Sequence, residues 1–178
     1  VAAATERGMC GVELWVHKSI APDLSRVWRL YADPRLLIVK LTLLGTDVMC
    51  VVGHGPSTTE RTEDSNPRID EWWAELTAHM HRLRCDSLPI VCMLDANARV
   101  GSIPSIYCGD KESEIENRQG ERMHELLATF SLCAPSTFLG GGPTWRSAAG
   151  CWRRLDYVLL PRLWMQGVAR CFTYSTGA

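Results

Sequence analysis

The clearest chemical signal in the sequence is the segment Leu94-Asp95-Ala96-Asn97, where an apolar run ends in a carboxylate and an amide. Residues two apart in extended backbone point to the same face, so we expect Asp95 and Asn97 side by side. A carboxylate there can activate or orient a water molecule, and an amide can hold a phosphoryl oxygen without adding negative charge. Both residue types also favour turns, so the alternative is that this segment merely begins a loop.

Two more polar residues end or interrupt apolar runs. His54 follows Val51-Val52-Gly53, where it could contact a substrate or serve as a hydrogen-bonded structural residue. Asp156 lies within Leu155–Leu160, and burying an unpaired carboxylate is costly, so the sequence predicts a partner for it. That partner is either an arginine in a structural ion pair or a histidine that Asp156 orients for catalysis.

A fourth group follows a run of glycines. Residues 140–142 are all glycine, and after Pro143 come Thr144, Trp145 and Arg146, which supply a hydroxyl, an aromatic ring and a guanidinium. These three could contact a phosphate-bearing substrate, or Trp145 could pack in the core. The glycine run lacks the lysine that completes a phosphate-binding P-loop, so we interpret it as a hairpin loop.

The spacing of apolar residues predicts the elements that must position these side chains. Helical spacing predicts one helix that begins after an N-cap at Asn66 and runs to Leu83, and a second from Asn117 to Phe130. Strands are predicted over residues 11–17, 36–44, 48–53, 88–94, 131–138, 155–160 and 168–174, the second and third as an antiparallel hairpin. Residues 88–94 are wholly apolar, which predicts a strand buried on both faces. This mixture predicts the α+β class, with helices on mainly antiparallel sheets.

Composition and charge exclude several classes of protein. Of the 178 residues, 46% are hydrophobic and 22% are charged, which is typical of a folded domain and excludes a disordered chain. The net charge of −1 excludes a strongly basic chain, although residues 145–178 hold five arginines and one acid. That segment predicts either a basic face near Asp156 or scattered solvated charges.

The sequence predicts neither a membrane span nor a disulfide framework. Its most apolar run, Leu36–Leu44, has nine residues, whereas a membrane helix needs ~20. The eight cysteines form no Cys-x-x-Cys pair, and several lie within apolar runs. We interpret them as buried free thiols of a protein in a reducing intracellular compartment, without distinguishing nucleus from cytoplasm.

The order of these signals resembles one known family. The motifs that carry this resemblance are, in chain order, a strand with His-x-Pro, a helix, a strand with Asp-x-Asn, a helix begun by Asn117-x-x-Gly120, Thr144-Trp145, and Arg154-Leu155-Asp156-Tyr157. The chain resembles the endonuclease/exonuclease/phosphatase family, which includes deoxyribonuclease I-like enzymes. The resemblance covers Gly11 to Tyr174. Residues 95–101 and the Asn117 helix start look most similar to the endonuclease domains of non-LTR retroelement reverse transcriptases. The resemblance implies a four-layer α/β-sandwich of two mainly antiparallel sheets flanked by helices.

The resemblance also implies a role for each candidate residue. Asp95 corresponds to the aspartate that activates or positions the attacking water, and Asn97 to the asparagine that holds the scissile phosphate. His54 corresponds to a residue that contacts the phosphate near the leaving oxygen, and Asp156 to the aspartate that orients a catalytic histidine. The segment near the substrate groove corresponds to Thr144, Trp145 and Arg146.

The same resemblance implies a metal-dependent phosphodiesterase that uses Mg²⁺, or Mn²⁺, and acts on nucleic acid, in this branch DNA. The family's metal-binding glutamate and its closing Ser-Asp-His motif have no match within residues 1–178. We therefore expect a single domain over residues 1–178 that is truncated at both termini, whose metal ligands lie outside it and which cleaves little by itself. Two alternatives remain: a phosphoesterase of the same family with a non-nucleic-acid substrate, and a non-catalytic binding module. The oligomeric state is not indicated.

Overall fold

The computed structural model describes residues 11–20, 24–57, 67–83 and 88–174. The first strands form an antiparallel meander of β1 (Val27–Ala32), β2 (Leu36–Leu43) and β3 (Thr46–His54). Asp33 Oδ1 accepts hydrogen bonds from the backbone N–H groups of Arg35 and Leu36, at 2.6 and 2.9 Å, and so closes the turn between β1 and β2. Pairing of Leu36 with Gly53 confirms the predicted hairpin of β2 and β3.

Three later strands, β4 (Ile90–Asp95), β5 (Leu132–Cys133) and β8 (Asp156–Pro161), extend this meander into a mixed sheet. The other two, β6 (Trp145–Arg146) and β7 (Trp152–Arg153), form a separate pair. The main sheet has the order β1-β2-β3-β4-β8-β5, and β6 pairs only with β7 among the described strands. Strand β4 is parallel to β3 and antiparallel to β8, with His54 opposite Asp95 and Asp95 opposite Asp156. The register alone therefore brings three predicted site residues to one end of the sheet.

Two helices cover one face of this sheet. Helix α1 (Pro67–Leu83) connects β3 to β4, and α2 (Arg118–Phe130) follows the long loop after β4. The main hydrophobic core includes Ile69, Trp72, Trp73, Leu76 and Met80 of α1, Met123, Leu126, Leu127 and Phe130 of α2, and Ile38, Met49, Val51, Cys92 and Leu94 of the sheet. Asn117 caps α2 as predicted, because its Oδ1 accepts from Gly120 N at 3.0 Å. The predicted cap Asn66 lies outside the described residues.

The opposite face of the sheet is only partly covered. A second buried cluster forms there, made of Val12, Leu37, Val39, Leu41, Val48 and Cys50. Strand β4 alternates buried and half-buried residues, so the prediction that residues 88–94 are buried on both faces is wrong. A cavity of about 750 Å³ lies over Val52, Met93 and Val158, and Val158 is 52% exposed. The sheet thus has one packed face that carries the helices and one partly open apolar face.

The predicted α+β class is confirmed, but several local predictions are not. Residues 11–17 keep the alternating burial of a strand, yet only Glu13 among them makes a β-bridge. The strand predicted over residues 131–138 stops at Cys133, because Pro135 starts the short helix α3 (Pro135–Leu139). Residues 168–174 form no strand in the described part of the chain. Strand β1 is not predicted from the sequence, because a bulge between Arg29 and Tyr31 breaks its pattern.

The thiol interpretation holds for most of the cysteines that the structure describes. All six of them are free, and Cys50, Cys92, Cys108 and Cys133 are buried, whereas Cys151 is exposed. Burial raises the pKa of Cys50 and of Cys108 to about 11, which keeps these thiols protonated and unreactive near neutral pH. Within the described ranges, no helix has the length and apolar character needed to cross a membrane.

Candidate active site

Three of the predicted site residues are neighbours at the carboxyl end of β4. His54, Asp95 and Asp156 oppose one another across β3, β4 and β8, and residues that oppose each other in paired strands have Cβ atoms about 5 Å apart. His54 Nε2 lies 3.7 Å from Asp95 Oδ2, which permits an ion pair when the imidazole is protonated. The strand register therefore assembles a histidine and two carboxylates without any contribution from flexible loops.

The carboxylate of Asp95 has an unusual electrostatic environment. Its Oδ1 is buried and has no hydrogen-bond partner within the described residues. Burial raises the pKa of Asp95 above the usual aspartate value, and the neighbouring Asp156 carboxylate raises it further, while His54 opposes the effect. A carboxylate with an unsatisfied oxygen and a raised pKa is suited to accept a proton or to bind a cation.

Asn97 lies beside Asp95 in the left-handed backbone region. Its φ is 50°, a conformation that asparagine tolerates better than most residues, so the extended spacing assumed from the sequence does not apply at this position. Its Nδ2 donates to Gly55 O at 3.2 Å and so links the loops that follow β3 and β4. Asp95 and Asn97 nevertheless line the same cleft, as the sequence predicts.

The environment of Asp156 differs from the prediction. It is the first residue of β8 and is exposed, so the cost of burial that implied a partner does not arise. Among the described residues, no ion pair joins Asp156 to an arginine or a histidine. Thr144 supports it through the backbone: the hydroxyl oxygen accepts from Leu155 N at 3.0 Å and from Asp156 N at 3.1 Å. Thr144 thus positions the start of β8, and the predicted substrate contact by Thr144 stays a prediction.

An exposed hairpin faces these residues across a cleft of about 640 Å³. The hairpin consists of β6 and β7, and its Trp145 and Trp152 are 47% and 59% exposed, so the alternative that Trp145 packs in the core is wrong. Trp145 lines the cleft together with Asp95, Asn97 and Asp156. Arg146 lies instead over the Trp152 ring, 5.3 Å from its centroid. The hairpin therefore offers the exposed indole of Trp145 beside the carboxylates, while Arg146 and Trp152 stack on its other face.

The basic character of residues 145–178 is smaller than their sequence suggests. Arg154 is only 5% exposed, and its guanidinium donates to Glu112 Oε2 at 2.6 Å and to the carbonyl oxygens of Ser136, Lys111 and Gly142. Arg153 donates to Glu114 Oε2 at 2.8 Å. Two of the five arginines therefore pair with acids of the loop before α2, which lowers the positive charge that this segment presents within the described residues.

Sequence reasoning missed residues that support the site from behind. Arg154 and Glu112 hold the glycine loop, because Glu112 Oε2 also accepts from the backbone N–H groups of Gly141 and Gly142, at 3.2 and 3.0 Å. These bonds hold the pKa of Glu112 below its usual value, and the bond from Gly141 has the largest effect.

Gln119 is also a residue that sequence reasoning missed. It is fully buried, and the signal that could have revealed it is its place four residues before Met123 on the apolar stripe of α2.

The oxygen atoms of this site suit a hard divalent cation. Asp95 Oδ1 is buried without a partner in the described part of the chain, and Asp156 adds a second carboxylate. Within the same residues there is no group of three or more His, Cys, Asp and Glu side chains arranged to hold a metal. Mg²⁺ is commonly bound by one or two carboxylates, with water and substrate phosphate completing its shell, so this pair fits such an ion.

Comparison with known proteins gives relatives by structure alone. No protein-family model and no curated protein matches the sequence. The endonuclease domain of TRAS1, a telomere-specific non-LTR retrotransposon, matches 81% of this chain and 59% of its own length, with a TM-score of 0.52 and 16% identity. An AP endonuclease from Leishmania major matches 81% of this chain and 51% of its own, with a TM-score of 0.59 and 16% identity. A 3′-5′ exonuclease from Neisseria meningitidis matches 81% of this chain and 61% of its own length, with a TM-score of 0.53 and 17% identity.

These likenesses identify the fold. The chain has the endonuclease/exonuclease/phosphatase fold, also called deoxyribonuclease I-like, as the order of its sequence motifs predicts. It spans between about half and three fifths of the length of these three structures.

Proposed function

We propose that this chain contributes the active site of a metal-dependent phosphodiesterase that cleaves DNA, of the retroelement endonuclease type. The observation that supports this most is the cleft in which His54, Asp95, Asn97 and Asp156 meet at one end of a deoxyribonuclease I-like sheet. The likeness to the TRAS1 endonuclease domain, together with residues 95–101, supports the retroelement branch.

The proposed reaction is in-line attack of a water oxygen on phosphorus, with cleavage of the phosphorus–oxygen bond to the leaving nucleotide. Asp95 orients the water and accepts its proton, a role consistent with the raised pKa and unsatisfied Oδ1 of this carboxylate. The Asn97 amide donates to a phosphoryl oxygen, and His54 is placed to donate near the leaving oxygen. Contrary to the sequence-based expectation that the metal ligands lie outside residues 1–178, we propose that Asp95 and Asp156 would hold Mg²⁺ or Mn²⁺, which when bound would neutralise charge that develops on the phosphoryl oxygens.

The hairpin of β6 and β7 supports nucleic acid as the substrate. Exposed indoles on which bases can stack, with an arginine beside them, are typical of surfaces that bind nucleic acid strands. Trp145 provides such an indole in the cleft, and Trp152 with the stacked Arg146 provides a second on the other face of the hairpin. The same surface gives no comparable reason to prefer a small phosphoester.

A second candidate is a module that binds nucleic acid without cleaving it. The observation that favours it is that the described residues bring together only two carboxylates and no larger metal-binding group. Loss of catalysis would leave the exposed hairpin and the cleft intact.

A plasmid-nicking assay with Mg²⁺ distinguishes these candidates. We expect the Asp95→Asn variant to lose roughly 10²–10⁴-fold in nicking rate, the usual contribution of a general base. Asp47→Asn is the matched control, because Asp47 lies at the other end of β3, where it pairs with Lys40. The assay is run on residues 1–178 and on any longer natural protein that contains them, and we expect the shorter chain to be the weaker enzyme.

Binding is measured in parallel on a labelled DNA duplex by mobility shift. Nicking that survives Asp95→Asn would refute the proposed active site. Duplex binding by every form of the protein, with no nicking in Mg²⁺ or Mn²⁺, would establish the second candidate instead.

A further inference from the structure

The first turn of α2 touches both loops that carry candidate catalytic residues. Asn117 is 5% exposed and uses its whole side-chain amide. Its Oδ1 accepts from Gly120 N at 3.0 Å and from Arg99 N at 2.9 Å, and its Nδ2 donates to Asn97 O at 3.2 Å. One residue outside the cleft's chemistry is therefore bonded directly to the backbone of Asn97.

The contact falls where the backbone of Asn97 most needs support. Asn97 has a φ of 50°, which costs conformational energy in an L-residue even though asparagine tolerates it better than most, so support from its surroundings matters here. Its carbonyl accepts from Asn117 and its side chain donates to Gly55 O. The two bonds fix both ends of the residue, and so they fix the direction in which the remaining amide hydrogen points.

Gln119 makes the corresponding contact to the loop after His54. It is fully buried, and its Oε1 accepts from Trp73 Nε1 at 2.9 Å while its Nε2 donates to Pro56 O. Gly120 lets the turn approach so closely, because a Cβ built there would lie 2.1 Å from Arg99 O. The first turn of α2 is thus locked against α1 and against the loops after β3 and β4.

We propose that Asn117 is a positioning residue, which holds Asn97 in its left-handed conformation and so aims the Asn97 amide into the cleft, with Gln119 fixing the loop after His54 in the same way. The proposal rests on the proposed function, because it assigns the aimed amide to a phosphoryl oxygen. Asn117 also lines the cleft, but both halves of its amide are bonded to backbone groups, so we assign its action to the carbonyl of Asn97.

The donor half of the Asn117 amide separates this role from helix capping. A cap requires only a side-chain acceptor for the N–H groups of the first turn, and aspartate or serine supplies one as well as asparagine does. The bond from Nδ2 to Asn97 O adds nothing to the cap. Asn117→Asp therefore keeps the acceptor at the helix N-terminus, where negative charge is favoured, and removes the donor to Asn97.

The test follows Asn97 by NMR in the folded chain. The readouts are its HN–Hα coupling, which reports φ, and the hydrogen exchange of its side-chain amide. We expect Asn117→Asp to change the coupling and to speed exchange at least tenfold, while its unfolding temperature stays above that of Asn117→Ala. Ala128→Gly is the control, because it weakens α2 at an exposed position without touching Asn97. Asn117→Ser, a neutral variant that keeps an acceptor, replaces Asn117→Asp if that variant does not fold.

Nicking of plasmid DNA provides the second readout. We expect Asn117→Asp to lower kcat at least tenfold with KM for DNA within threefold, and Ala128→Gly to change neither. If Asn97 keeps its coupling and exchange in Asn117→Asp to within the changes caused by Ala128→Gly, the positioning role is refuted. If neither residues 1–178 nor a longer natural protein that contains them nicks DNA, the proposed function alone is refuted, because the NMR readout still decides whether Asn117 holds Asn97.

Discussion

The two sides of the cleft are built in opposite ways. On one side, His54, Asp95 and Asn97 stand at the ends of buried strands and are fixed from behind by the first turn of α2. On the other side, Trp145 and Trp152 lie on a hairpin of two-residue strands, with their indoles in solvent. We call these the strand side and the hairpin side.

The difference suggests a division of labour between geometry and adaptability. Groups that must meet a phosphate within a fraction of an ångström gain from rigid support, since small displacements cost large factors in rate. Groups that stack on bases tolerate more variation, because every base offers a similar face. The hairpin side is nevertheless anchored at its base, where Arg154 and Glu112 hold the glycine loop. The comparison therefore predicts different consequences for mutations on the two sides.

The largest effect is expected from Gly120→Ala on the strand side. A Cβ at this position would overlap Arg99 O at 2.1 Å and approach the Glu116 side chain at 2.7 Å, so the turn must move away from the loop after β4. We expect a loss of roughly 3 kcal/mol in the free energy of unfolding, the upper end for overpacking. Gly167→Ala is the matched control, because a Cβ there meets open space. Equal unfolding temperatures for the two variants would contradict the tight contact.

Removing the anchor of the hairpin side should cost somewhat less. Arg154→Met deletes a buried guanidinium and leaves the carbonyls of Ser136 and Lys111 without their donor, whereas Glu112 is half exposed and can be solvated. We expect about 2 kcal/mol of destabilisation, from the desolvated groups left unpaired. Arg162→Met, at an exposed arginine that donates to Ile106 O, should cost under about 1 kcal/mol. Chemical denaturation of both variants measures the difference, and comparable midpoints would mean that Arg154 is not an anchor.

The contrast between the sides also explains what could be predicted from the sequence. The sequence predicts Asp95 and His54 as site residues, because a long apolar run marks a strand and the end of that run marks the edge of the sheet. The bond between Asn117 and Asn97 could not be found in this way, because it joins residues 20 apart and leaves only a capping pattern in the local sequence. Strands β6 and β7 have two residues each, too few for any alternation to show. Asp156 was misjudged as buried because the strand begins at that residue and not before it.

Mutations of the exposed indoles should affect DNA binding and leave folding unchanged. We expect Trp145→Ala to weaken binding of a DNA duplex by roughly 5- to 100-fold, the range for losing a stacked base, and Trp152→Ala, on the other face of the hairpin, to weaken it less. Trp164→Ala is the matched control, since Trp164 is 40% exposed and lies in a groove beside Pro89 and Ile90, at the opposite end of β4. Fluorescence anisotropy measures affinity, and thermal unfolding confirms that each variant folds. Equal loss of affinity in all three variants would mean that the hairpin is no special contact surface.

The smallest effect expected is a pH dependence of stability that originates at Asp95. Burial and the Asp156 carboxylate raise the pKa of Asp95 in the folded protein above its usual value of 3.8. Because the folded state favours the protonated form, the stability that Asp95 contributes is fully present below that usual pKa and is lost as pH rises through the raised one. Asp95→Asn should therefore gain in unfolding temperature relative to the wild type as pH rises from 3 to 7. The corresponding gain in the free energy of unfolding stays under about 1 kcal/mol, since solvent screens the Asp95 side chain, which is 41% exposed.

Asp47→Asn is the control and should show no such gain, because the pKa of Asp47 is lowered by its bonds to Thr42 and Lys40. A flat difference between Asp95→Asn and wild type over this range would mean that neither burial nor the Asp156 carboxylate raises the pKa of Asp95, and the strand side would then hold its carboxylates without electrostatic cost.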